Sequence, residues 1–493
     1  MKIGFDNDKY IHIQSERIKE RIAEFGGKLY LEFGGKLYDD FHASRVLPGF
    51  EPDSKLRMLK AIGSDVEIII PICADDIEKN KQRGDLGISY ADDTLRLMDV
   101  FRSMGFYVSG VVITQYQGQP GADNFRKKLT SLGIKSYIHD PIKGYPHTVD
   151  DIVSEEGYGR NEYVPTTRPL VVVTAPGPGS GKMATCLSQL YHDLKRGISS
   201  GYAKFETFPV WDLPLNHPVN QAYEAATADL NDVNMIDPYH LETYGVTAVN
   251  YNRDVEIFPV MRALFERLLG KSPYMSPTDM GVNMIAGCIT DDEVCREASK
   301  REILRRFYSA QVEAKRKGEV TGTLRKMEII MKKAGITPEI CPAVGAALLR
   351  EKTTGLASAA LELPDGRVVT GKTSSLLGCA AALLLNCLKE LAGIPKEIKL
   401  IPSNVVEPIT DLKINNLGHH NPRLHTDEIL VALCVSASTN PVAALAQQQL
   451  SKLKGCDAHF SVIPSQVDEK IYKRLGINLS CEPKYELSKL YHK

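Results

Sequence analysis

The stretch LVVVTAPGPGSGK, residues 170–182, decides the fold because an apolar strand runs directly into a glycine-rich turn. A lysine closes the turn, and a helix is predicted to continue to residue 196. Strand, glycine turn, lysine and helix in this order are typical of a phosphate-binding loop, where backbone N–H groups and a helix N-terminus face an anion. The sequence therefore predicts phosphate or nucleotide binding at residues 177–182.

The stretch departs from the standard P-loop pattern at two positions. Pro176 stands where the pattern has its first glycine, and Met183 stands where it has the Ser or Thr that holds Mg²⁺. Two other interpretations stay open: a structural turn capped by a serine, and a loop for a dinucleotide or another cofactor. The residues expected to contact phosphate are Gly177, Gly179, Ser180, Gly181, Lys182 and Thr185.

A Mg²⁺-bound nucleotide would need a carboxylate at the end of a neighbouring strand. A strand predicted at 205–210 ends just before Asp212, which is the first candidate. Glu32 is the second, because a charge inside the apolar strand 28–33 requires a function or a partner. The alternatives are that Asp212 caps a turn and that Glu32 forms a salt bridge. The cofactors suggested by this arrangement are Mg²⁺ and a nucleotide.

Apolar strands alternate with helices through the first half of the chain, which is typical of a parallel sheet covered on both faces. The sequence predicts an α/β fold whose N-terminal sheet is mostly parallel and Rossmann-like or P-loop-like. From 237 to 352 the strand signal disappears and helices dominate. We therefore expect three domains: an α/β domain at 1–270, a helical domain at 271–353 and a small α/β domain at 354–493.

The third domain opens with a predicted hairpin around Pro364-Asp365-Gly366, then a helix from residue 374 and a strand at 397–401. Lys372, Thr373 and Ser374 precede that helix and form a weak second anion-site candidate, although an ordinary helix cap is the simpler interpretation. The layout resembles the opening of the cytidine deaminase-like fold. The zinc chemistry of that fold needs His-x-Glu and Pro-Cys-x-x-Cys motifs, and residues 354–493 contain neither.

His419, His420 and His425 form the densest group of ligand-type side chains and are a weak metal-site candidate. They lie in a loop, whereas metal ligands usually come from rigid elements. His425 is followed by Thr-Asp-Glu, which also fits the start of a helix with acidic residues in its first turn. The start of a helix is the simpler interpretation of these residues.

The composition excludes several protein classes. Sixty Lys and Arg balance 61 Asp and Glu, giving a net charge of −1, which argues against a general polyanion binder. The ten cysteines form no CxxC pair, and the N-terminus lacks the apolar core of a signal peptide. No apolar run is long enough to cross a bilayer. These features predict a cytoplasmic protein with reduced thiols and no membrane association.

The local charge is less even, because residues 296–333 contain twelve Lys or Arg against five Glu. Such a segment could contact RNA or an acidic partner, but it is more often a solvated helix face. Phe307 and Tyr308 are its only aromatic residues. Nucleic acid is therefore not expected as a partner, whereas a homo-oligomer is compatible with a protein of this size.

Several long strings resemble a bacterial family of unknown function, the domain of unknown function eighteen-forty-six, also called uncharacterised protein family three-seventy-one. The resemblance covers nearly the whole chain and implies a multidomain α/β architecture in a bacterial cytoplasm, without an activity or a catalytic residue. The matching strings are FGGK at 33–36, TAPGPGSGK at 174–182, FPVWD at 208–212, SPTDMG at 276–281 and NPRLHTDE at 421–428.

The leading expectation is an enzyme, a nucleotide-dependent transferase or hydrolase, that binds a nucleotide or phosphorylated small molecule at the glycine-rich stretch. The alternative is a non-catalytic ligand-binding or scaffolding protein whose glycine turn is structural and whose basic helices contact a partner.

Overall fold

The structure is a computed structural model that describes residues 2–63, 65–83, 86–230 and 232–486. Its thirteen named strands are β1 (Leu29–Phe33), β2 (Val66–Cys73), β3 (Tyr107–Thr114), β4 (Ser136–His139), β5 (Leu170–Val173), β6 (Gly201–Phe205), β7 (Asn234–Ile236), β8 (Val249–Tyr251), β9 (Gly281–Val282), β10 (Ser358–Glu362), β11 (Val368–Lys372), β12 (Asp457–Phe460) and β13 (Asn478–Cys481).

The named α-helices are α1 (Asn7–Glu24), α2 (Phe41–Val46), α3 (Ser54–Ile62), α4 (Ala74–Glu78), α5 (Tyr90–Ser103), α6 (Pro120–Ser131), α7 (Val149–Ile152), α8 (Lys182–Lys195), α9 (Pro218–Ala226), α10 (Pro238–Tyr244), α11 (Asn252–Leu269), α12 (Pro277–Met280), α13 (Asp292–Lys317), α14 (Gly322–Ala334), α15 (Pro342–Thr354), α16 (Cys379–Ala392), α17 (Ser403–Asp411), α18 (Thr426–Ala437), α19 (Pro441–Gln447) and α20 (Gln466–Arg474).

A seven-stranded sheet with the order β4-β3-β2-β5-β1-β6-β9 organises the first half of the chain. All its strand pairs are parallel, which confirms the predicted parallel α/β arrangement. Because the strands are parallel, their carboxyl ends meet at one edge, where open α/β sheets bind ligands. The strands β5, β1 and β6 are adjacent, so the chain segments that follow them meet at this edge.

One face of this sheet is covered by α8 and α11. Tyr30 of β1 and Tyr202 of β6 are fully buried there with Leu187 of α8 and with Phe258 and Phe265 of α11. Side chains two residues apart on a strand point to the same face. Consequently Glu32 and Lys204, each two residues beyond one of these tyrosines, also point to the face that carries α8 and α11.

A second sheet, with the order β11-β10-β12-β13, forms the last part of the chain. Its first three strands pair antiparallel, and β12 and β13 pair parallel. The hairpin predicted around residues 364–366 is confirmed. The likeness to the cytidine deaminase-like fold stays a prediction.

The chain separates into two compact units. The N-terminal unit contains the described residues of 3–224 and 232–296, and the C-terminal unit contains those of 297–486, 225–230 and Lys2. The main boundary therefore lies at residues 296 and 297, away from the boundaries expected near 270 and 353. The separate helical domain stays a prediction.

Three secondary-structure predictions were wrong. The strand expected at 205–210 is β6, which ends at Phe205; Pro209 has no N–H for a sheet, and Asn283 donates to the carbonyls of Thr207 and Pro209 instead. Residues 397–401 form no strand. The region from 237 to 352 contains β8 and β9, which are too short for a periodic signal.

The glycine at 371 gives a test of the second sheet, because β11 lies directly against the backbone of α16. A Cβ atom at Gly371 would stand 2.3 Å from the backbone nitrogen of Leu383. We expect Gly371→Ala to lower the free energy of unfolding by about 1–3 kcal/mol, since neither backbone moves easily. Urea denaturation measures this change.

Gly345→Ala is the matched control, because Gly345 lies inside α15 with no heavy atom within 4 Å of an added Cβ. The alanine should leave stability unchanged or raise it by up to ~1 kcal/mol. Equal stabilities of the two variants would contradict the close packing of β11 on α16.

Candidate functional site

The glycine loop, defined as residues 175–182, connects β5 to α8 at the carboxyl edge of the seven-stranded sheet. Gly179 and Gly181 have φ values of 76° and 80°, which strongly favour glycine. A Cβ atom at Gly177 would stand 2.3 Å from the hydroxyl of Tyr90, so a side chain does not fit there either. The three predicted glycines therefore set the course of the loop.

The two predicted hydroxyl groups hold the loop from within. Ser180 Oγ donates to the carbonyl of Gly177 at 2.7 Å, and Thr185 Oγ1 donates to the carbonyl of Gly181 at 2.9 Å. Thr114, at the end of β3, donates to the carbonyl of Ser180 at 3.0 Å. Ser180 and Thr185 are both fully buried. Their contact with a ligand stays a prediction, and their observed role is to fix the loop.

The backbone N–H groups of residues 181–184 are the anion-binding feature of the loop. Throughout the described residues, none of these four groups has a hydrogen-bond acceptor, and Gly181 caps α8 without a side-chain contact. The first N–H groups of a helix lack intrahelical partners and carry the positive end of its dipole. Four such donors at one turn can bind tetrahedral anionic oxygens.

Lys182 is the first residue of α8 and is half-buried. Within the described part of the chain its ammonium group has no hydrogen bond or ion pair. Burial lowers the pKa of Lys182, the nearby carboxylate of Glu32 opposes this change, and Lys204 adds to it. An anion bound at the loop would favour the charged form of Lys182.

Glu32 lies beside Lys204, because β1 and β6 pair in a register that places these two residues opposite each other. Both are buried, with 8% of each residue exposed. The phenol of Tyr202 donates to Glu32 Oε2 at 2.8 Å. Glu32, one of the two predicted carboxylates, is therefore at the carboxyl edge and electrostatically coupled to both Lys182 and Lys204.

Lys204 is the centre of a buried group that we call the Lys204 cluster, consisting of Lys204, Glu206, Tyr251 and Asp254. The ammonium of Lys204 forms ion pairs with Glu206 Oε1, at 2.7 Å, and with Asp254 Oδ2. It also donates to the phenol oxygen of Tyr251, whose hydroxyl donates to Glu206 at 2.9 Å. Side-chain exposure of the three charged residues is 10–12%.

Burial sets the electrostatics of this cluster. Desolvation raises the pKa of Glu206 to about 7, Lys204 opposes the rise, and the carboxylate of Asp254 adds to it. Burial disfavours the charge of Lys204, but Asp254, Glu206 and Glu32 together hold its pKa well above its ordinary value. The cluster therefore combines a permanently charged lysine with a carboxyl group that titrates near neutrality.

Asp212, the other predicted carboxylate, is exposed in a turn seven residues beyond the end of β6. Its predicted position at a strand end was wrong, because β6 ends earlier than expected. The role of Asp212 as a Mg²⁺ ligand stays a prediction, and the expected position at the end of a strand no longer supports it.

The helix start predicted beside the second anion-site candidate was also wrong. The helix predicted from residue 374 begins at Cys379, so Lys372, Thr373 and Ser374 do not lie at a helix N-terminus. Ser374 Oγ accepts from the backbone N–H groups of Leu376 and Leu377, which keeps this segment in a turn. Anion binding by these residues stays an untested prediction.

The three histidines of the predicted metal-site candidate lie in different surroundings. His419 and His420 are exposed, whereas His425 caps α18 and its Nδ1 lies 3.1 Å from Asp468 Oδ2. The hydrogen bond with Asp468 raises the pKa of His425. Among the described residues, no three or more His, Cys, Asp or Glu side chains form a possible metal site.

The basic segment at 296–333 carries many internal ion pairs. Arg301 contacts Glu297, Glu362 and Asp457, and Arg305 and Arg306 both contact Glu302. These three of its twelve basic side chains are therefore balanced by carboxylates of the same unit.

Two family models match the chain over nearly its whole length. The model described as "Domain of unknown function DUF1846, N-terminal" matches residues 3–335, and the corresponding C-terminal model matches residues 339–491. The chain belongs to the DUF1846 family. This confirms the resemblance expected from the sequence.

Curated members of the family extend over the same length. The chain is 56% identical to the UPF0371 protein stu1377 of Streptococcus thermophilus, with both proteins fully covered. It is 57% identical to a UPF0371 protein of Streptococcus sanguinis, again with full coverage, and 55% identical to the UPF0371 protein SpyM50764 of Streptococcus pyogenes, over 100% of this chain and 99% of the relative. These names assign no activity to the family.

Two further findings concern the cysteines of this DUF1846 member and the hydropathy of its helices. All ten cysteines are free thiols, and nine of them are buried. Among the helices that the structure describes, none is long and apolar enough to cross a membrane.

The residues predicted from the sequence do not include Lys204, Glu206, Tyr251 and Asp254. The available signal was the spacing of Lys204 and Glu206, two charges at alternate positions beside the apolar residues of GYAKFETF at 201–208. Two charges on one face of a buried strand need partners. Their partners come from a distant helix start, which the sequence does not reveal.

The raised pKa of Glu206 predicts how stability depends on pH. The folded state holds a proton up to about pH 7, whereas the unfolded glutamate releases it near 4.5, so ionisation of Glu206 destabilises the fold as pH rises between these values. Because Glu206→Gln removes this ionisation, unfolding free energies should shift in favour of the variant by roughly 3 kcal/mol from pH 4.5 to 8.

Denaturant titrations of both proteins across this pH range measure the difference. Glu155→Gln, at an exposed site in the same unit, is the control and should show no comparable shift toward the variant. If the difference in unfolding free energy between Glu206→Gln and wild type does not change with pH, or changes in favour of wild type, Glu206 is ionised in the folded protein and the prediction is wrong.

Proposed function

We propose that this DUF1846 member is a cytoplasmic enzyme that binds a nucleotide or another phosphorylated small molecule at the glycine loop. The observation that carries the proposal is the set of four acceptor-free N–H groups at residues 181–184 beside the ammonium of Lys182. No side chain of the described residues satisfies these donors, which leaves them available to the oxygens of a ligand.

Each part of the loop has a separate task in this proposal. The N–H groups of residues 181–184 donate to the oxygens of one phosphate group, and the α8 dipole favours its negative charge. Lys182 contributes a charge-assisted hydrogen bond, which is stronger than a bond between neutral groups. Ser180 and Thr185 support the loop from behind, because their hydroxyls already donate to its carbonyls.

The neighbouring side chains favour an enzyme over a passive binding protein. Glu32 lies on β1, which pairs with β5, and Lys204 lies on β6, which pairs with the other edge of β1. Both point to the sheet face that α8 covers, where Asp254 at the start of α11 contacts Lys204. Buried groups with strongly perturbed pKa values at a ligand-binding edge are typical of acid–base chemistry. A transferase or hydrolase acting on the bound phosphorylated compound is therefore the proposed class.

The proposal predicts that Lys182→Ala weakens phosphate binding. Loss of the ammonium contact should reduce affinity for ATP, GTP or inorganic phosphate by about tenfold or more, since hydrogen bonds to charged groups contribute ~1.5–3 kcal/mol. Isothermal titration calorimetry with these three compounds and a panel of sugar phosphates measures the effect.

Lys195→Ala is the matched control, because Lys195 lies at the opposite end of the same helix and is paired with Glu155. Its affinities should equal those of wild type. Failure of every compound to bind the wild-type protein would sink the proposal and leave the alternative of a scaffolding protein with a structural glycine turn.

A further inference from the structure

We infer that the Lys204 cluster is the acid–base element of the glycine-loop site, with Glu206 taking up a proton when the phosphate group of a ligand binds. The inference rests on the proposed function and deepens it, because it assigns a proton to a named side chain. It also makes ligand binding dependent on pH in a defined direction.

The ammonium group of Lys204 contacts more carboxylates than one positive charge can balance. Glu206 and Asp254 both contact Lys204, so two carboxylates share a single positive charge in a site with little solvent. Their carboxylate oxygens are held close together by the common partner. Two carboxylates in such a position cannot both ionise at low cost, and the pair retains one proton.

Of the two carboxylates, Glu206 is the one that carries the proton. Among the described groups that act on Glu206, Lys204 and the hydrogen bond from Tyr251 favour its ionised form, whereas Asp254 and the burial of the site favour its neutral form and together prevail. Tyr251 donates a hydrogen bond to it, and Tyr223 of α9 is electrostatically coupled to it. Asp254 instead lies in the first turn of α11, where the helix dipole stabilises a negative charge.

The Lys204 cluster is linked to the glycine loop through Glu32. Glu32 is electrostatically coupled to Lys182 at the loop and to Lys204 in the cluster. A change of charge at the loop therefore changes the electrostatic potential at the cluster. A phosphate group bound at Lys182 adds negative charge at the loop. Added negative charge favours the protonated form of Glu206, and proton uptake must then accompany binding.

The linkage has a definite sign. Because the ligand-bound protein holds the proton more tightly, affinity is highest where Glu206 is already protonated and falls as pH rises through neutrality. A one-unit change in the pKa of Glu206 on binding would change affinity by about tenfold across the titration. Glu206→Gln cannot titrate, and its affinity should lack this component.

Calorimetry with inorganic phosphate and with ATP tests the inference. Each titration is carried out at pH 6, 7 and 8 in two buffers that differ in their enthalpy of ionisation, which gives the number of protons taken up. The ligands' own ionisation contributes to wild type and variant alike. The expected result is a net uptake in wild type near pH 7 that exceeds the uptake of Glu206→Gln.

Asp254→Asn provides a second variant in case Glu206→Gln folds poorly. Removing the competing carboxylate should lower the pKa of Glu206 and move the proton uptake to lower pH. Glu482→Gln, at a carboxylate of the C-terminal unit, is the control and should match wild type.

The possible outcomes distinguish the proton assignment from the proposed function. Binding with the same proton uptake in wild type, Glu206→Gln and Asp254→Asn would overturn the acid–base assignment and leave the proposed function intact. Absence of binding by phosphate and ATP to the wild-type protein would overturn the proposed function and this inference with it.

Discussion

The burial of Lys204 is the constraint on which the arrangement of the N-terminal unit depends. A lysine ammonium inside a sheet-helix interface is costly unless carboxylates and hydrogen-bond acceptors surround it. Glu206 follows it on the same chain segment, and Asp254 and Tyr251 come from the start of α11. The ion pairs therefore tie the end of β6 to the first turn of a helix about fifty residues away in sequence.

The same constraint explains why chemistry gathers at one end of the seven-stranded sheet. The order β5-β1-β6 places the glycine loop, Glu32 and Lys204 on three adjacent strands or just beyond them. Helices α8 and α11 cover the shared face, and each begins beside these groups without a side-chain cap. Uncapped helix starts and buried lysines favour an anion, while the shared carboxylates supply a titrating group.

Much of this architecture could be predicted from the sequence, and the reasons differ between elements. The strand before the glycine turn and the helix after it are present as β5 and α8, because a continuous apolar run and the glycine turn decide them locally. The glycine loop was predicted for the same reason. The end of β6 was not, because the competing contacts come from Asn283, far along the chain. The Lys204 cluster was missed because its members meet only through strand pairing and helix packing.

The central claim is that the free N–H groups of residues 181–184 and Lys182 form an anion site. A crystal structure of the full chain soaked in tungstate, a tetrahedral oxyanion with a strong anomalous signal, tests it most directly. We expect a tungstate peak whose oxygens lie about 3 Å from these nitrogens and from Lys182 Nζ. A glycine loop without a peak at those donors, in crystals where tungstate binds elsewhere, would contradict it.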